Sequence, residues 1–190
     1  MAGYAQTLGQ LSDLVVAFPS VYNTCMNAPI LDWVTAAHQA LTWRELGETV
    51  VFTNGHFDLL HIGHVRYLQA ARALGDRLIV GLNSDISTRL RKGPGRPIVL
   101  QEERAGLLAA LRCVDAVVIF DSEDCIDLVA ALRPDIYVKG ADWNQPDGPR
   151  PPEAAIVDKY NGRVEYVDLL PGRSTSGMIE TIQSLPAKAD

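Results

Sequence analysis

Cysteine is scarce in this chain: three in 190 residues, Cys25, Cys113 and Cys125, odd in number and far apart. That fits neither a disulfide framework nor the paired spacing of a zinc site, and a reducing cytoplasm is the expected setting. Basic residues are also in deficit. Seventeen Lys and Arg against 23 Asp and Glu give a formal charge of −6 and a pI near 5.2. This balance disfavours nucleic acid as a partner, because such surfaces neutralise phosphates with an excess of positive charge. A small anionic ligand stays open if the basic residues are local. No Lys or Arg precedes Arg44, so the charged start of a signal peptide is missing. Long hydrophobic runs are missing too. Residues 14–31 carry no charge, but Pro19, Ser20, Asn23, Thr24, Asn27 and Pro29 interrupt them, so no membrane partner or bilayer span is expected. Internal repeats and low-complexity tracts are absent. What is present is 47% hydrophobic and 21% charged, the balance of a globular chain with room for one domain and a sizeable core.

From Thr49 onward, short β-branched runs alternate with amphipathic stretches, the pattern of βαβ units around a parallel sheet. Five strands are predicted: VVFTN (50–54), RLIVGLN (77–83), DAVVIF (115–120), DIYVKG (135–140) and VEYVDL (164–169). Between them HVRYLQAARALG, EERAGLLAALR and DCIDLVAALRP repeat apolar residues at helical spacing; Gly75 stops the first and Pro134 the last. The expectation is a Rossmann-like, doubly wound, five-stranded parallel sheet in a single α/β domain, residues 47–190. Residues 1–46 form an N-terminal extension, weakly ordered to about residue 30 and a helical preamble on the sheet edge over 31–46. ADWNQPDGPRPP (141–152), with four prolines, reads as an irregular surface loop.

Three of the four histidines, His56, His61 and His64, fall in TNGHFDLLHIGHVRYL, residues 53–68, where the first predicted strand gives way to a helix. In an open α/β sheet that carboxyl edge is where ligands bind. His64 falls in the first helical turn and His61 just ahead of it. Both rings can therefore address an anion at the helix N-terminus, and Gly63 lets the backbone approach it. With 4 His and 15 Gly in 190 residues, an H-x-G-H match arises by chance in roughly 0.6% of such chains. A zinc site is the competing chemistry, but Asp58 is the sole carboxylate in the stretch and H-x-x-H is not the helical spacing of zinc enzymes. No direct protein ligands for a metal are assigned.

These residues resemble the HxGH nucleotidyltransferases of the cytidylyltransferase-like superfamily. The resemblance runs from about Val50 to Ile182 through TNGHFDLLHIGH, GDRLIVGLNSD, KGPGRPI, the EER of EERAGLLAALR, VKGADW and GRSTS. Within the family, NSD, KGPGRPI, LRPD and GRST look like the adenylyltransferase domain that makes ADP-heptose from heptose 1-phosphate. Cytidylyltransferases for glycerol 3-phosphate and phosphoethanolamine are similar over the same span, but typically carry an arginine in R-T-E-G where this chain has LLPG, Leu169–Gly172. The resemblance implies attack of a sugar or alcohol phosphate on the α-phosphorus of a nucleoside triphosphate, with release of pyrophosphate. Mg²⁺ carried by the triphosphate is the implied cofactor and a homodimer the implied assembly. A heptose kinase domain, which accompanies this transferase in some bacteria, has no room in 190 residues and is expected on a separate chain. ATP with D-glycero-D-manno-heptose 1-phosphate is the first expectation, CTP with glycerol 3-phosphate or a similar alcohol phosphate the second. A nucleotide-binding module without turnover is the alternative from another class.

The resemblance also assigns roles. His61 and His64 donate to the α-phosphate in the transition state. Thr53, Phe57 and Asp58 shape the nucleotide pocket together with Asn54, Gly55 and Gly63, while the role of His56 is open between phosphate donor and packing on the nucleotide. Thr88–Arg96, TRLRKGPGR, holds Arg89, Arg91, Lys92 and Arg96 without an acid and reads as a basic loop on the ligand edge, with Lys92 as the family's phosphate clamp. Arg104 in EER matches an arginine reaching the same pocket; its alternative is an i,i+4 partner on an exposed helix face. Lys139, Gly140 and Asp142 of KGADW form a turn for base, ribose or magnesium. Ser174 and Thr175 of GRSTS precede the last helix, one of them capping it while both hydroxyls face the β- and γ-phosphates, with Arg173 supplying charge.

Overall fold

A computed structural model describes residues 27–144 and 148–186. Six parallel strands form one sheet: β1 (Ile30–Leu31), β2 (Val50–Gly55), β3 (Arg77–Asn83), β4 (Ala116–Phe120), β5 (Ile136–Gly140) and β6 (Arg163–Val167), in the order β1-β4-β3-β2-β5-β6. Each of the five predicted strands is present within two residues at either end. The sixth is a correction to the five-strand expectation: Ile30 and Leu31 pair with Val117 and Val118 on the outer edge of β4. Two residues followed by the helix-capping Asp32 carry no readable period. The expectation of weak order over residues 1–26 lies outside the described residues.

Among the described residues seven α-helices accompany the strands: α1 (Trp33–Glu45), α2 (Ile62–Arg72), α3 (Asp85–Lys92), α4 (Gln101–Ala109), α5 (Ile126–Leu132), α6 (Ala154–Lys159) and α7 (Thr175–Gln183). α1, α5 and α6 cover one face, where Phe52, Val118, Phe120 and Tyr137 meet Leu128, Val129 and Val157. α2 and α4 cover the other, where Val51, Val80, Leu82 and Val138 meet Leu68, Ala105 and Leu108. Both faces being covered is why the central strands read as continuous apolar runs. Two helices depart from expectation. The basic stretch expected as a loop begins as helix α3, capped by Ser84 through its hydroxyl to Ser87 N–H and ended by Gly93 at φ 95°. The Pro-rich stretch at 141–152 contains a 3-10 turn at Ala141–Trp143 and leads straight into α6.

The two edges of the sheet differ. At the amino edge Arg77 bridges Glu48 and Asp115, while Arg72 also reaches Asp115. Partly exposed pairs of this kind contribute little each. At the carboxyl edge the chain reverses direction between β2 and β5, because β3 and β4 extend one way from β2 and β5 and β6 the other. Such a switch point leaves a crevice between the diverging loops.

Candidate active site

An open cavity of about 720 Å³ occupies that crevice, a size suited to a nucleotide-scale ligand. Its centre is the start of α2. His61 is the N-cap residue, with extended backbone and Nδ1 accepting from His64 N–H at 3.4 Å. The imidazoles of His61 and His64 then stack, centroids 3.8 Å apart and planes 15° from parallel. Gly63 allows this fold-back. A Cβ there would stand 2.9 Å from His61 Cε1 and Nδ1, so the glycine makes room for the histidine ring as well as opening the helix start. Phe57 presents its ring edge-on to His64 at 5.2 Å and adopts φ 44° to do so, a left-handed conformation that costs a bulky residue roughly 1–3 kcal/mol.

Both stacked rings are neutral at physiological pH. Burial, then the neighbouring His61, pushes His64 down to about 4; burial and then Arg173 lower His61 as well. Because His61 Nδ1 accepts a hydrogen bond, the proton of its neutral ring sits on Nε2. His64 Nδ1 is buried without a partner, which is tolerable for an unprotonated nitrogen and costly for an N–H, so its proton too belongs on Nε2. Two neutral N–H donors thus stand at a helix N-terminus.

The basic residues divide into those that face the cavity and those that hold it in shape. Lys92 and Arg91 are exposed and line it from the end of α3. Arg96 also lines it, but its Nε donates to the Asp58 carboxylate, which further accepts from Ile98 N–H at 2.7 Å and Val99 N–H at 3.0 Å. Asp58 is 2% exposed; burial works to raise its carboxyl, and the N–H groups of Val99 and Ile98 together with Arg96 hold it below the ordinary range. It therefore latches the loop after α3 to the end of β2. Arg104 is a correction on both of its expected roles. It is 1% exposed, lines no part of the cavity, and donates to the carbonyls of Val99, His56 and Asn83 and to Asp85. A buried guanidinium with four acceptors fixes three loop ends at once. Thr53 is likewise beneath the floor, its hydroxyl bonded to Tyr67 OH at 2.7 Å and Val138 O at 2.9 Å. His56 lines the cavity with Nδ1 on Thr88 Oγ1 at 3.0 Å. Burial, followed by the charges of Lys92, Arg91, Arg104 and Arg96, pushes it down to about 4.

On the α5 and α6 side of the crevice, Asn54 at the end of β2 accepts from Tyr137 OH and from Lys139 Nζ, both at 2.9 Å. Lys139 Nζ also lies over the rings of Tyr137 and Trp143, at 5.3 and 5.1 Å. Asp142 folds back against Gly140, where a Cβ would collide with its Oδ1. Gly55, Lys139, Gly140 and Asp142 all line the cavity, as do Arg173, Ser174 and Thr175 from the far side. Ser174 caps α7 through Gly177 N–H at 3.0 Å, and Thr175 Oγ1 reaches Leu59 O at 3.5 Å, drawing the start of α7 against that of α2. Sequence reasoning missed Glu153, Glu123, Asp124 and Tyr67, which also line the cavity. Among the described residues no three His, Cys, Asp or Glu converge on a metal position, and no helix is long and apolar enough to cross a membrane.

Comparison with known proteins agrees with this geometry. A cytidylyltransferase-like family model matches residues 52–171. The chain is 54% identical over 143 residues to the bifunctional protein HldE of Syntrophotalea carbinolica, covering 73% of this chain and 28% of that one. To HldE of Geobacter sulfurreducens it is 51% identical over 156 residues, covering 82% and 30%. The chain thus spans less than a third of the length of these relatives. The crystal structure of a lipopolysaccharide core biosynthesis protein from Thermoplasma volcanium superposes with TM-score 0.51 at 30% identity, covering 65% of this chain and 98% of that one. The HxGH histidines at the start of α2, the crevice they face and these matches lead to one statement: the chain belongs to the cytidylyltransferase-like family.

Proposed function

We propose that this chain is a nucleotidyltransferase that joins a nucleoside triphosphate to a sugar 1-phosphate and releases pyrophosphate, with ATP and D-glycero-D-manno-heptose 1-phosphate as the pair. The observation that carries the reaction class is the stacked, neutral His61–His64 pair at the N-terminus of α2. A phosphate monoester has a second pKa near 6 and is already largely a dianion at neutral pH, so it attacks without a general base. What the reaction requires is alignment, and donors aimed at the charge that develops on the α-phosphate oxygens. Two Nε2–H groups beside free helix N–H groups meet that requirement, and a neutral ring donates without giving up its proton to the dianion. Lys92 and Arg91 at the end of α3, with Arg173 and the N-terminus of α7, suit the triphosphate tail. Mg²⁺ brought by the triphosphate would neutralise part of its charge, and Asp142 on the cavity wall is the residue that would help hold it.

Support for the adenylyl and heptose choice comes from the HldE relatives and from KGPGRPI and LLPG in the sequence. Pyrophosphate release measured with each triphosphate against a panel of sugar and alcohol phosphates tests it. The expected outcome is a kcat/KM for ATP at least about tenfold above that for CTP, or roughly 1.4 kcal/mol, with heptose 1-phosphate as acceptor. Faster turnover of CTP with glycerol 3-phosphate than of ATP with any sugar 1-phosphate replaces this pair while leaving the histidine roles in place.

A further inference from the structure

Glu153 stands immediately before α6 and is 2% exposed, yet it lines the cavity. Its Oε1 is fully engaged, accepting from Cys125 N–H and from the Cys125 thiol, both at 3.2 Å. Its Oε2 has no hydrogen-bond partner, and Lys139 Nζ lies 3.9 Å from it, beyond hydrogen-bond reach. Burial works to raise this carboxyl, but Lys139 and the Cys125 contacts hold it below the ordinary glutamate range, so it is charged. A buried charge with one unused oxygen is costly unless a ligand completes it.

The position of Glu153 says which ligand. Displacement at the α-phosphorus is in line, so the entering oxygen and the leaving pyrophosphate lie on opposite sides. The N-termini of α2 and α7, drawn together by Thr175 and Leu59, stand on one side of the sheet edge and suit the pyrophosphate. Glu153 and Lys139 stand on the other side, against Cys125 at the start of α5 and Asn54 at the end of β2. A carboxylate repels phosphate and accepts from hydroxyls, so the part of the ligand that meets Glu153 is polyhydroxylated and uncharged. Resting on the transferase reading above, we propose that Glu153 is a specificity-determining residue of the acceptor subsite, its Oε2 accepting from hydroxyls of the sugar while the adjoining phosphate is turned toward His61 and His64. Glu123 and Asp124, which line the same cavity from the loop after β4, offer further acceptors for the same polyol.

The test is steady-state kinetics of Glu153→Gln, with whichever triphosphate and acceptor the unaltered protein turns over fastest. If that pair is CTP and glycerol 3-phosphate, the heptose reading fails while the hydroxyl question is still asked. The expected result is a KM for the acceptor raised at least about tenfold, with the KM for the triphosphate within about twofold and the unfolding midpoint held. The unaltered protein, assayed alone, should favour the natural acceptor over deoxygenated analogues by at least about a hundredfold, as a site built around a substrate hydroxyl does; Glu153→Gln should lose most of that preference. If Gln at this position prevents folding, Glu153→Asp, which keeps the charge but withdraws the oxygens, is read by the same split. An unchanged acceptor KM in a folded variant, an equal rise in the triphosphate KM, or indifference of the unaltered protein to deoxygenation would each overturn the proposal.

Discussion

Gly63→Ala separates what the H-x-G-H spacing does for stability from what it does for chemistry. An alanine Cβ would stand 2.9 Å from two atoms of the His61 ring, against the 3.4 Å at which ordinary contact begins. The ring must therefore retreat by about half an ångström, an easy move for a side chain and a difficult one for a positioned donor. Its bond from His64 N–H, already 3.4 Å long, is lost, at a cost of about 1 kcal/mol for an N-cap. Replacing glycine by alanine in a helix returns up to about 1 kcal/mol. Stability should accordingly change by less than about 1 kcal/mol. Activity should not be spared: loss of one transition-state donor costs about 10²–10³-fold in kcat, and a half-ångström displacement should cost at least about tenfold. Urea unfolding followed by circular dichroism reads the first quantity, and pyrophosphate release at saturating substrates reads the second. A variant with kcat within about twofold of the unaltered protein would refute the role given to Gly63 and to the His61 fold-back. A loss of several kcal/mol would show that the ring is not free to yield.

Two further outcomes follow from the charges around the cavity. Lys92→Ala removes a cation that is exposed on the cavity wall, so KM for a phosphorylated substrate should rise several-fold and become less sensitive to added salt, with kcat little changed; unchanged KM for both substrates would return Lys92 to the solvated surface. The second concerns pH. His56 and His64 fall from 6.5 to about 4 on folding, so between these values the unfolded chain binds more protons than the folded one. Their contribution is complete above about 6.5 and is lost as pH falls toward 4, on the order of 3 kcal/mol for two partly exposed rings. Unfolding free energies at pH 7.5 and pH 5 should differ accordingly, and His64→Ala should lose part of the difference. Equal stability at the two values would contradict the burial given to these rings.

The strands of this fold are legible because both sheet faces are covered, which leaves runs such as RLIVGLN at 77–83 with no polar interruption. Helix α3 is concealed by its own charge: Arg89, Arg91 and Lys92 read as a basic loop on the ligand edge, although Ser84 followed by Asp85 is a capping signal. The H-x-G-H stretch leads to the cavity because it packs a local motif onto a helix start, whereas Arg104 and Thr53 carry the right residue types at positions that turn out to be fully buried. Most of their hydrogen bonds run to groups distant in sequence, which no local pattern reveals. Glu153 gives no signal at all, since its partners Cys125 and Lys139 meet it only through the packing of α5 and α6 on one face of the sheet.

The most direct test of the account is the behaviour of His61→Ala and His64→Ala with the triphosphate bound. If the two imidazoles donate to the transition state, each variant should bind the triphosphate with a Kd within a few-fold of the unaltered protein, by calorimetry, and release pyrophosphate with kcat lowered by about 10²-fold or more. Near-normal kcat in either variant, or loss of triphosphate binding equal to the loss of rate, would contradict it.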